Sequence, residues 1–381
     1  PGEPPDLPFV VALGTGASVE SMTIGADTEE AVGVRVDSPG THAVRDVMLR
    51  QHALGVGAWC APSCTARVVV ERTTCLHCEV GLHTEGSASL AAGHVTLRAV
   101  GTGAVLRGWG DSLVNSIVDG AEVGILGASE ATAATAHHNL YSDVGTPYSG
   151  GVMPGPGDRL ADALLAPMEH WPTALSPARG AADDGSDLGA LPFAGIGEPP
   201  SGLRVEPGEP PADGGPAPWV LAFDAVPDAW IYHAYATPAG GSGPTRLAYA
   251  YADASVPGGG PRVVLEGLAA GTTYELTAST AYAERGESEA AEPIAFAVPA
   301  PATVLEEDDP ALTATGAWQP VAAAGASGGR YLASTTEGDT LSFDFSGDSV
   351  ALLRALGPDG GQANIQIDGR SQGVLEFYFP E

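Results

Sequence analysis

The cysteines are the residues whose spacing points most directly to chemistry. All four lie within 19 residues, at Cys60, Cys64, Cys75 and Cys78. Two close thiol pairs, with His77 and His83 nearby, could hold a structural zinc ion. Two disulfides that pin loops are the favoured hypothesis, because the gap between the pairs is short for a zinc ribbon and acidic modules of this kind are commonly oxidised. Local pairing, Cys60 with Cys64 and Cys75 with Cys78, is the first expectation, and free thiols are the third alternative.

Charged residues in the first third of the chain could serve acid–base chemistry. The candidates for acid, base and charge neutralisation are Arg35, Asp46, Arg50, Glu71, Arg98 and Asp119. No paired-carboxylate motif accompanies them, so no catalytic residue is assigned. The histidines are interpreted as surface residues at turns or on outward strand positions: His42, His52, His77, His83, His94, His137 and His138.

Two further groups could bind ligands. Asp183, Asp184 and Asp187 offer the oxygen atoms that Ca²⁺ prefers, although a solvated turn is the alternative. No cofactor is assigned from the sequence, with calcium as the possible exception. The second group, Trp318, Tyr331 and Arg354, could stack on or hydrogen-bond to a sugar, with core or edge packing as the alternative.

Composition limits the partners. The 381-residue chain has a formal net charge of −31, and its 16 basic residues are all arginine, so a nucleic acid or an anionic membrane would be repelled. No apolar run approaches the roughly 20 residues of a membrane-spanning helix. The chain opens Pro1-Gly-Glu-Pro-Pro-Asp6, which is no initiator sequence, so we expect it to begin inside a longer protein. Its 52 glycines and 32 prolines, with 44% hydrophobic residues, favour turn-rich β structure.

A short apolar phrase recurs at intervals of roughly 20–25 residues. It occupies residues 19–24, 44–49, 68–73, 93–97, 113–118 and 135–140, and a second apolar step with glycine follows most copies. One such unit cannot close a core, so successive units must stack. The phrasing resembles the right-handed parallel β-helix repeat family, some of whose members cleave acidic polysaccharides along one face of consecutive coils. The resemblance would place the charged candidates on such a face.

Residues 150–194 resemble the closing segment of secreted bacterial β-helices. In that family, a Ser-Pro-Ala phrase and an Asp-Ile-Gly-Ala phrase end the solenoid, and Ser176-Pro-Ala178 and Asp187-Leu-Gly-Ala190 match them. Such a segment covers the apolar face and open strand edges that the last coil would otherwise expose.

Residues 196–299 resemble a fibronectin type III domain. Seven alternating runs separated by turn residues predict an antiparallel sandwich. The phrase Leu268-Ala-Ala-Gly-Thr-Thr-Tyr274 matches the family's corner, which implies that Leu268 is buried beneath it and that the Tyr274 hydroxyl bonds to the backbone. Phe223 stands where the family usually has a core tryptophan, and Gly286-Glu-Ser288 fits the loop before the last strand.

Residues 300–381 resemble the opening of a carbohydrate-binding jelly roll. Asp339-Thr-Leu-Ser-Phe-Asp-Phe345 matches its Phe-x-Phe strand, and Asp368-Gly369 is a sound hairpin turn. Because the last run stops at the end of the chain, we expect this module to be partial.

The sequence thus predicts an all-β protein with a right-handed parallel β-helix and closing segment at 1–195, a fibronectin type III domain at 196–299 and a partial jelly roll at 300–381. The favoured function is a non-catalytic arm of a secreted or surface-attached bacterial protein, either a spacer or a contact for cell-surface glycans. A secreted polysaccharide lyase or glycoside hydrolase is the first alternative. The second is a structural filament or surface-layer element that stacks through residues 9–13.

Overall fold

The computed structural model describes residues 8–25, 31–127, 134–167, 170–208, 218–241, 245–252, 260–283, 286–299, 305–323, 326, 329–345, 350–357 and 360–378. Within these ranges the chain forms β-strands and no α-helix, so the all-β prediction is confirmed. The same ranges contain no helix long and apolar enough to cross a bilayer.

The first part of the chain is a parallel β-solenoid of about six coils. Its strands are β1 (Phe9–Leu13), β2 (Ser18–Gly25), β3 (Val32–Val36), β4 (Gly40–Arg50), β5 (Leu54–Cys60), β6 (Ala66–Glu71), β7 (Thr74–Leu76), β8 (Val80–Gly86), β9 (Ala88–Gly93), β10 (Thr96–Leu106), β11 (Ser112–Val114), β12 (Ile117–Gly127), β13 (Thr135–His137), β14 (Leu140–Ser149) and β15 (Arg159–Leu160). Each strand pairs in parallel with a strand of a neighbouring coil, as the repeat predicts.

The strands form three faces around the core. Face A contains residues 18–20, 40–45, 66–71, 88–93, 112–114 and 135–137. Face B contains residues 22–25, 47–50, 74–76, 96–98, 117–119 and 140–142. Face C contains residues 9–13, 32–36, 54–60, 80–86, 100–106, 121–127 and 144–149.

The register corrects the alignment of the repeats. Val44 lies beside Val70, and Val70 lies beside Ala92, so the third phrase is shifted by two residues from the predicted one and the fourth by one. The sixth phrase begins at Ala136 instead of Thr135. Val68 and Val70 both point into the core, which is why their apolar pattern could not fix the register.

A corner between face A and face B turns the chain in every coil. One residue there adopts a left-handed backbone conformation, and the corner ladder is Ser21, Asp46, Arg72, His94, Asn115 and His138, with φ between 44° and 55°. Asn, Asp and His tolerate this region better than most residues. The amide groups of His94 and Asn115 donate to carbonyls of the following coil, at 3.2 and 3.3 Å. The corner ladder therefore projects one side chain per coil at the edge of face A.

Glycines on face C explain the second part of each repeat. Gly33, Gly55, Gly81, Gly103 and Gly124 stack coil upon coil. A Cβ atom at Gly55 would lie 2.5 Å from the carbonyl oxygen of Gly81, and one at Gly81 would lie 2.6 Å from that of Gly103. The coils approach so closely here that only glycine fits without displacement.

The closing segment, residues 150–194, lies along the side of the solenoid as well as at its end. β15 continues face B by pairing with β14. The amide of Ala190 donates to the Thr96 hydroxyl at 2.9 Å, and Thr96 lies two coils before β14. An apolar cluster seals this side, and its members are Ile117, Leu140, Ala163, Leu165, Ala178, Ala181, Ala182 and Leu188. The segment was expected to cover the last coil, and it also covers face B.

The second set of strands is β16 (Arg204–Pro207), β17 (Trp219–Ala222), β18 (Ile231–Pro238), β19 (Arg246–Tyr251), β20 (Arg262–Leu265), β21 (Thr273–Tyr282), β22 (Gly286–Glu287) and β23 (Ile294–Ala297). One sheet has the order β16-β17-β20, and the other has the order β19-β18-β21-β22 with β23 on β21. The β18–β19 and β21–β22 pairs are antiparallel.

The remaining strands are β24 (Thr313–Thr315), β25 (Gln319–Ala322), β26 (Arg330–Ala333), β27 (Thr340–Ser342), β28 (Gln362–Ile367) and β29 (Arg370–Glu376), which form antiparallel pairs β24–β27, β25–β26 and β28–β29. The chain packs as two compact units: Pro1–Arg204 with Leu221–Val263 and Glu275–Ala295, and Val205–Val220 with Val264–Tyr274 and Phe296–Glu381. The domain boundaries 195/196 and 299/300 and the jelly-roll fold stay predictions.

Candidate functional site

A shallow groove of about 390 Å³ crosses face A over strands β6, β9 and β11. Its lining residues are Arg67, Val69, Glu71, Arg72, Ala91, Ala92, Gly93, His94, Ser112 and Val114. Strand alternation places Val69, Ala91 and Gly93 outward, while Val68, Val70 and Leu90 fill the core. The floor of the groove is therefore flat because its outward side chains are small, and the corner ladder forms one rim.

Ion pairs between neighbouring coils fix the charged residues beside the groove. Arg45 Nε donates to Glu71 Oε2 at 2.8 Å. Arg72 holds both carboxylate oxygens of Asp46, at 2.7 and 2.9 Å. This hydrogen-bonded partner holds the pKa of Asp46 below its usual range, because Arg72 stabilises the ionised carboxylate. Two of the predicted charged candidates thus serve to tie coils together.

A polar cluster lies at the end of the groove, where the closing segment meets the corner ladder. Asn115 Nδ2 donates to Asp183 Oδ1 at 2.7 Å, and the Asp183 amide donates back to Asn115 Oδ1 at 3.0 Å. Asn115 Nδ2 also lies 3.3 Å from His94 Nε2, and His94 Nδ1 lies 3.2 Å from the Asp187 carbonyl oxygen. His94 therefore uses both ring nitrogens in hydrogen bonds.

The three aspartates predicted to hold calcium have different surroundings. Asp187 accepts the backbone amides of Gly180 and Phe193, each at 2.7 Å, one on each carboxylate oxygen. Asp184 accepts the amide and hydroxyl of Ser186, and these hydrogen bonds lower the pKa of Asp184. Asp183 Oδ2 lies 3.9 Å from His137 Nδ1, and Asp184 Oδ2 lies 3.8 Å from His94 Nε2. The structure therefore separates the roles of the three carboxylates, and the calcium hypothesis stays a prediction.

On face B the structure brings Arg98 and Asp119 together. Arg98 Nε lies 3.0 Å from Asp119 Oδ2, and Ser142 donates to Asp119 Oδ1 at 2.7 Å. Burial raises the pKa of Asp119, although the Ser142 hydroxyl and Arg98 oppose that shift. Arg98 also donates to His170 Nδ1 at 2.8 Å, and burial, followed by the charge of Arg98, lowers the pKa of His170 to about 4. This network anchors the closing segment to the solenoid.

The two remaining charged candidates have other hydrogen-bond and ion-pair partners. Arg35 Nε pairs with Asp37 at 3.1 Å, and its guanidinium lies 5.5 Å from the centre of the Phe9 ring. Arg50 contacts the Met48 sulfur at 3.0 Å. The six candidates thus lie on different faces of the solenoid.

The cysteines are paired as expected, Cys60 with Cys64 and Cys75 with Cys78. Each pair spans a corner within one coil, between β5 and β6 or between β7 and β8. Cys75 and Cys78 are buried in the solenoid core, and none of the four sulfurs is left over as a zinc ligand.

The prediction that the histidines lie on the surface is wrong for two of them. His42 and His52 are each only 1% exposed, because they point into the solenoid. His42 Nε2 lies 3.0 Å from the Ser38 carbonyl oxygen, and His52 Nε2 lies 3.1 Å from that of Ile24. Burial lowers the pKa of His52. His77 is exposed, His83 is half-buried on face C, and His94, His137 and His138 are half-buried at or next to the corner ladder.

The predicted sugar-contacting residues lie in the last part of the chain. Trp318 is half-buried, and its indole nitrogen donates to the Thr340 carbonyl at 3.0 Å. Tyr331 is half-buried on β26. Arg354 is exposed, with its guanidinium 5.7 Å from the centre of the Phe377 ring. Their glycan role stays a prediction.

The corner predicted from the fibronectin type III resemblance has two expected features, and the structure shows the Tyr274 feature in full. The Tyr274 side chain is buried, and its hydroxyl oxygen accepts the Ala269 amide at 3.0 Å. Leu268 is half-buried instead of covered. Phe223 is fully buried, as the resemblance implies.

A buried polar junction joins the closing segment to β18, β21 and β22. Glu287 Oε1 accepts the Tyr235 hydroxyl at 2.7 Å and the Ala174 amide at 3.2 Å. Glu287 Oε2 lies 3.0 Å from His233 Nδ1, and Ser279 donates to the same carboxylate. Burial acts to raise the pKa of Glu287, but His233 and the hydroxyls of Ser279 and Tyr235 outweigh it and lower that pKa.

Sequence reasoning missed Glu287 and Asp111 as structural residues. Gly286-Glu-Ser288 fits an ordinary loop, so the sequence gives no sign that the Glu287 side chain is buried. Asp111 is fully buried and accepts the amides of Leu90 and Gly108 and the hydroxyl of Thr84, at 2.8, 2.7 and 2.5 Å. A lone aspartate after Gly108-Trp-Gly110 offers a turn signal only, so no pattern indicated a buried carboxylate.

No protein-family model matches the chain, and no curated protein sequence matches it. Among solved structures, it is similar to the fn3 domain of the human collagen alpha-1(XX) chain, with 25% sequence identity over 31% of this chain and 98% of that one. The TM-score of 0.22 supports no argument about fold or function. The fibronectin type III assignment therefore stays a prediction based on residues such as Phe223 and Tyr274.

Proposed function

We propose that this protein is a non-catalytic extracellular or cell-surface arm whose solenoid contacts a glycan in the groove on face A. The groove itself is the observation that carries this proposal. It spans three successive coils, and its volume of about 390 Å³ falls in the range of sites that accept small ligands.

The chemistry of the groove suits a sugar. Val69, Ala91 and Gly93 offer a flat floor for the apolar face of a pyranose ring, while Arg67 and Arg72 on the lining can donate to its hydroxyl groups. The chain's net charge of −31 disfavours a polyanion. We therefore expect the ligand to be a neutral polysaccharide.

The two cysteine pairs support an extracellular location. Disulfides form and persist in oxidising compartments, and they are rare in the cytosol. The coil-to-coil bonds of Glu71 and Asp46 support the non-catalytic part, because these carboxylates are engaged by Arg45 and Arg72.

A groove-filling substitution tests the proposal. Neutral and acidic polysaccharides would be titrated into the wild-type chain and into Ala91→Phe, which should weaken binding at least about tenfold, equivalent to about 1.4 kcal/mol. Ala43→Phe is the matched control, because Ala43 occupies the same outward column of face A outside the groove. Equal polysaccharide binding by wild type and Ala91→Phe would contradict the groove assignment. If only Trp318→Ala lost polysaccharide binding, the glycan contact would instead lie in the last part of the chain.

A secreted polysaccharide lyase or glycoside hydrolase is the second candidate, because Glu71 and His94 both line the groove and are groups that acid–base catalysis employs. The same polysaccharides would be screened for new reducing ends and unsaturated uronates, with Ca²⁺ present. Turnover that Glu71→Gln abolishes would establish this candidate and overturn the non-catalytic proposal.

Self-assembly is the third hypothesis. Phe9 and Val10 on β1 are 51% and 46% exposed, which leaves apolar surface at the first coil. Concentration-dependent sedimentation would support a filament or surface-layer element, and a monomer at all concentrations would argue against it.

A further inference from the structure

We propose that His137, His138 and Asp183 form a binding site for a divalent cation of the zinc class, which links the last coil of the solenoid to the closing segment. His137 ends β13 and His138 is the last residue of the corner ladder, whereas Asp183 belongs to the closing segment. None of these three residues lines the glycan groove.

The three potential ligand atoms already converge. One atom from each residue lies within 4.8 Å of the other two. The Nδ1 atoms of His137 and His138 are 3.1 Å apart, and Asp183 Oδ2 is 3.9 Å from His137 Nδ1. Two nitrogens bound to one tetrahedral Zn²⁺ at its usual bond lengths are about 3.3 Å apart. The histidine pair therefore has nearly the required spacing, and a small movement of Asp183 would complete three ligands.

Neighbouring groups hold these ligands in position. Asn115 binds Asp183 through two reciprocal hydrogen bonds of 2.7 and 3.0 Å, which engage Oδ1 and the amide and leave Oδ2 directed at the histidines. Gly157 packs so closely on the His138 ring that a Cβ atom there would overlap it. Groups outside the ligand set that orient it in this way are typical of metal sites.

The donor set distinguishes the cation. Imidazole nitrogen suits zinc and its neighbours in the transition series, whereas Ca²⁺ takes six to eight oxygen atoms. Asp187 has both carboxylate oxygens occupied by backbone amides, and Asp184 is engaged by Ser186. The cluster thus offers two nitrogens and one oxygen, and water would supply the fourth ligand, as it does in other zinc sites with three protein ligands. A cation here would join two segments 45 residues apart in the chain, since it connects His138 with Asp183.

The test uses the full, tag-free chain after removal of metals by chelation. Calorimetric titration with Zn²⁺ should show one site per chain, Ca²⁺ should not compete, and Zn²⁺ should raise the unfolding midpoint. Asp183→Asn and His138→Asn should each weaken Zn²⁺ binding at least about tenfold, since even residues behind a metal's ligands contribute 10–100-fold. Asn is chosen at 138 because it tolerates the left-handed backbone. His77→Asn is the matched control, since His77 also has a positive φ of 53° and is exposed.

A wild-type measurement keeps the test independent of variant folding. In long-range ¹H–¹⁵N spectra of the imidazole groups, Zn²⁺ should shift the Nδ1 signals of His137 and His138 and leave the other histidines unchanged. Affinity should also fall in acid, because protons compete for the ring nitrogens. The proposal is overturned if Zn²⁺ binds equally well to Asp183→Asn, if the shifted signals belong to other histidines, or if only Ca²⁺ binds.

Discussion

At the scale of single residues, the absence of a side chain at Gly55 sets how closely two coils approach. A Cβ atom there would lie 2.5 Å from both the Gly81 carbonyl oxygen and the Cys75 sulfur. Neither neighbour can yield easily, because one is backbone and the other is buried in the core. Close contact with both the neighbouring backbone and a core side chain limits the substitutions that this position tolerates.

Gly55→Ala is expected to lower the free energy of unfolding by about 1–3 kcal/mol, the usual cost of overpacking. Gly93→Ala is the control, because a Cβ atom there would meet Val114 at an ordinary 3.6 Å. It should change stability by less than about 0.5 kcal/mol. Urea denaturation of both variants provides the measurement, and similar effects would show that the close approach is not the cause.

Glu287→Gln tests the buried junction and should destabilise the protein by about 3 kcal/mol at pH 7, since it leaves His233 facing a neutral amide. Because the folded-state pKa of Glu287 lies below its ordinary value of 4.5, the carboxylate stabilises the fold above about that pH. This contribution is lost as the pH falls through the folded-state pKa. The difference between wild type and variant should therefore shrink as the pH falls below about 4.5.

Glu289→Gln is the control for that measurement. Glu289 pairs with Arg179 at 2.8 Å, but its side chain is 62% exposed. Its loss should cost less than about 1 kcal/mol. A difference between wild type and Glu287→Gln that does not vary with pH would contradict the assigned role of the carboxylate.

At the scale of elements, each disulfide closes a short corner between two strands of one coil. Thiol titration of the unfolded chain should find no reactive thiols before reduction and four afterwards. Replacing Cys75 and Cys78 together by alanine should cost about 2 kcal/mol, the value for so short a loop in the chain-entropy account. Reactive thiols in the unreduced protein would contradict the pairing.

Much of the solenoid could be predicted from the sequence because apolar phrases and glycines recur coil by coil. Gly55 and Gly81 mark the close approach, and Asn115 and Asp46 are types suited to a left-handed corner. Arg72 occupies the same kind of corner without any such signal. The register at Val68 and Val70 could not be predicted either, since both residues point inward.

The polar sites were less predictable, because they join residues far apart in the chain. Asp183 meets Asn115 and His137 only when the closing segment folds back along the solenoid. Nothing local in the sequence distinguishes Asp183 from Asp184, which instead forms a turn with Ser186. Ligand pairs of this kind depend on tertiary structure, so composition and spacing indicated only that carboxylates were present.

At the scale of the whole molecule, the closing segment buries apolar residues that face B would otherwise expose. Ile117 and Leu140 are fully buried in the cluster that it forms. Burial of each side chain contributes on the order of 1.5–3 kcal/mol. The solenoid therefore depends on residues beyond its last coil for a soluble surface.

A fragment ending at residue 160 should bind an apolar dye and self-associate, whereas one ending at residue 199 should do neither to a comparable extent. Ile117→Thr with Leu140→Thr in the shorter fragment is the control, because it removes the exposed apolar side chains and places a β-branched residue, which suits a strand, at both positions. Sedimentation and dye fluorescence would measure both effects. A monomeric shorter fragment without added fluorescence would contradict this role of the closing segment.

The position of Leu188 in the chain also has a consequence for biosynthesis. The six coils are synthesised first, and the closing segment that covers Ile117 and Leu140 emerges from the ribosome only later. At a synthesis rate of about 5–20 residues per second, the nascent protein exposes these apolar side chains for several seconds. During that time the nascent chain needs either slow coil formation or a chaperone to avoid aggregation. Variants that delay docking of the closing segment should therefore aggregate during synthesis but remain stable once folded.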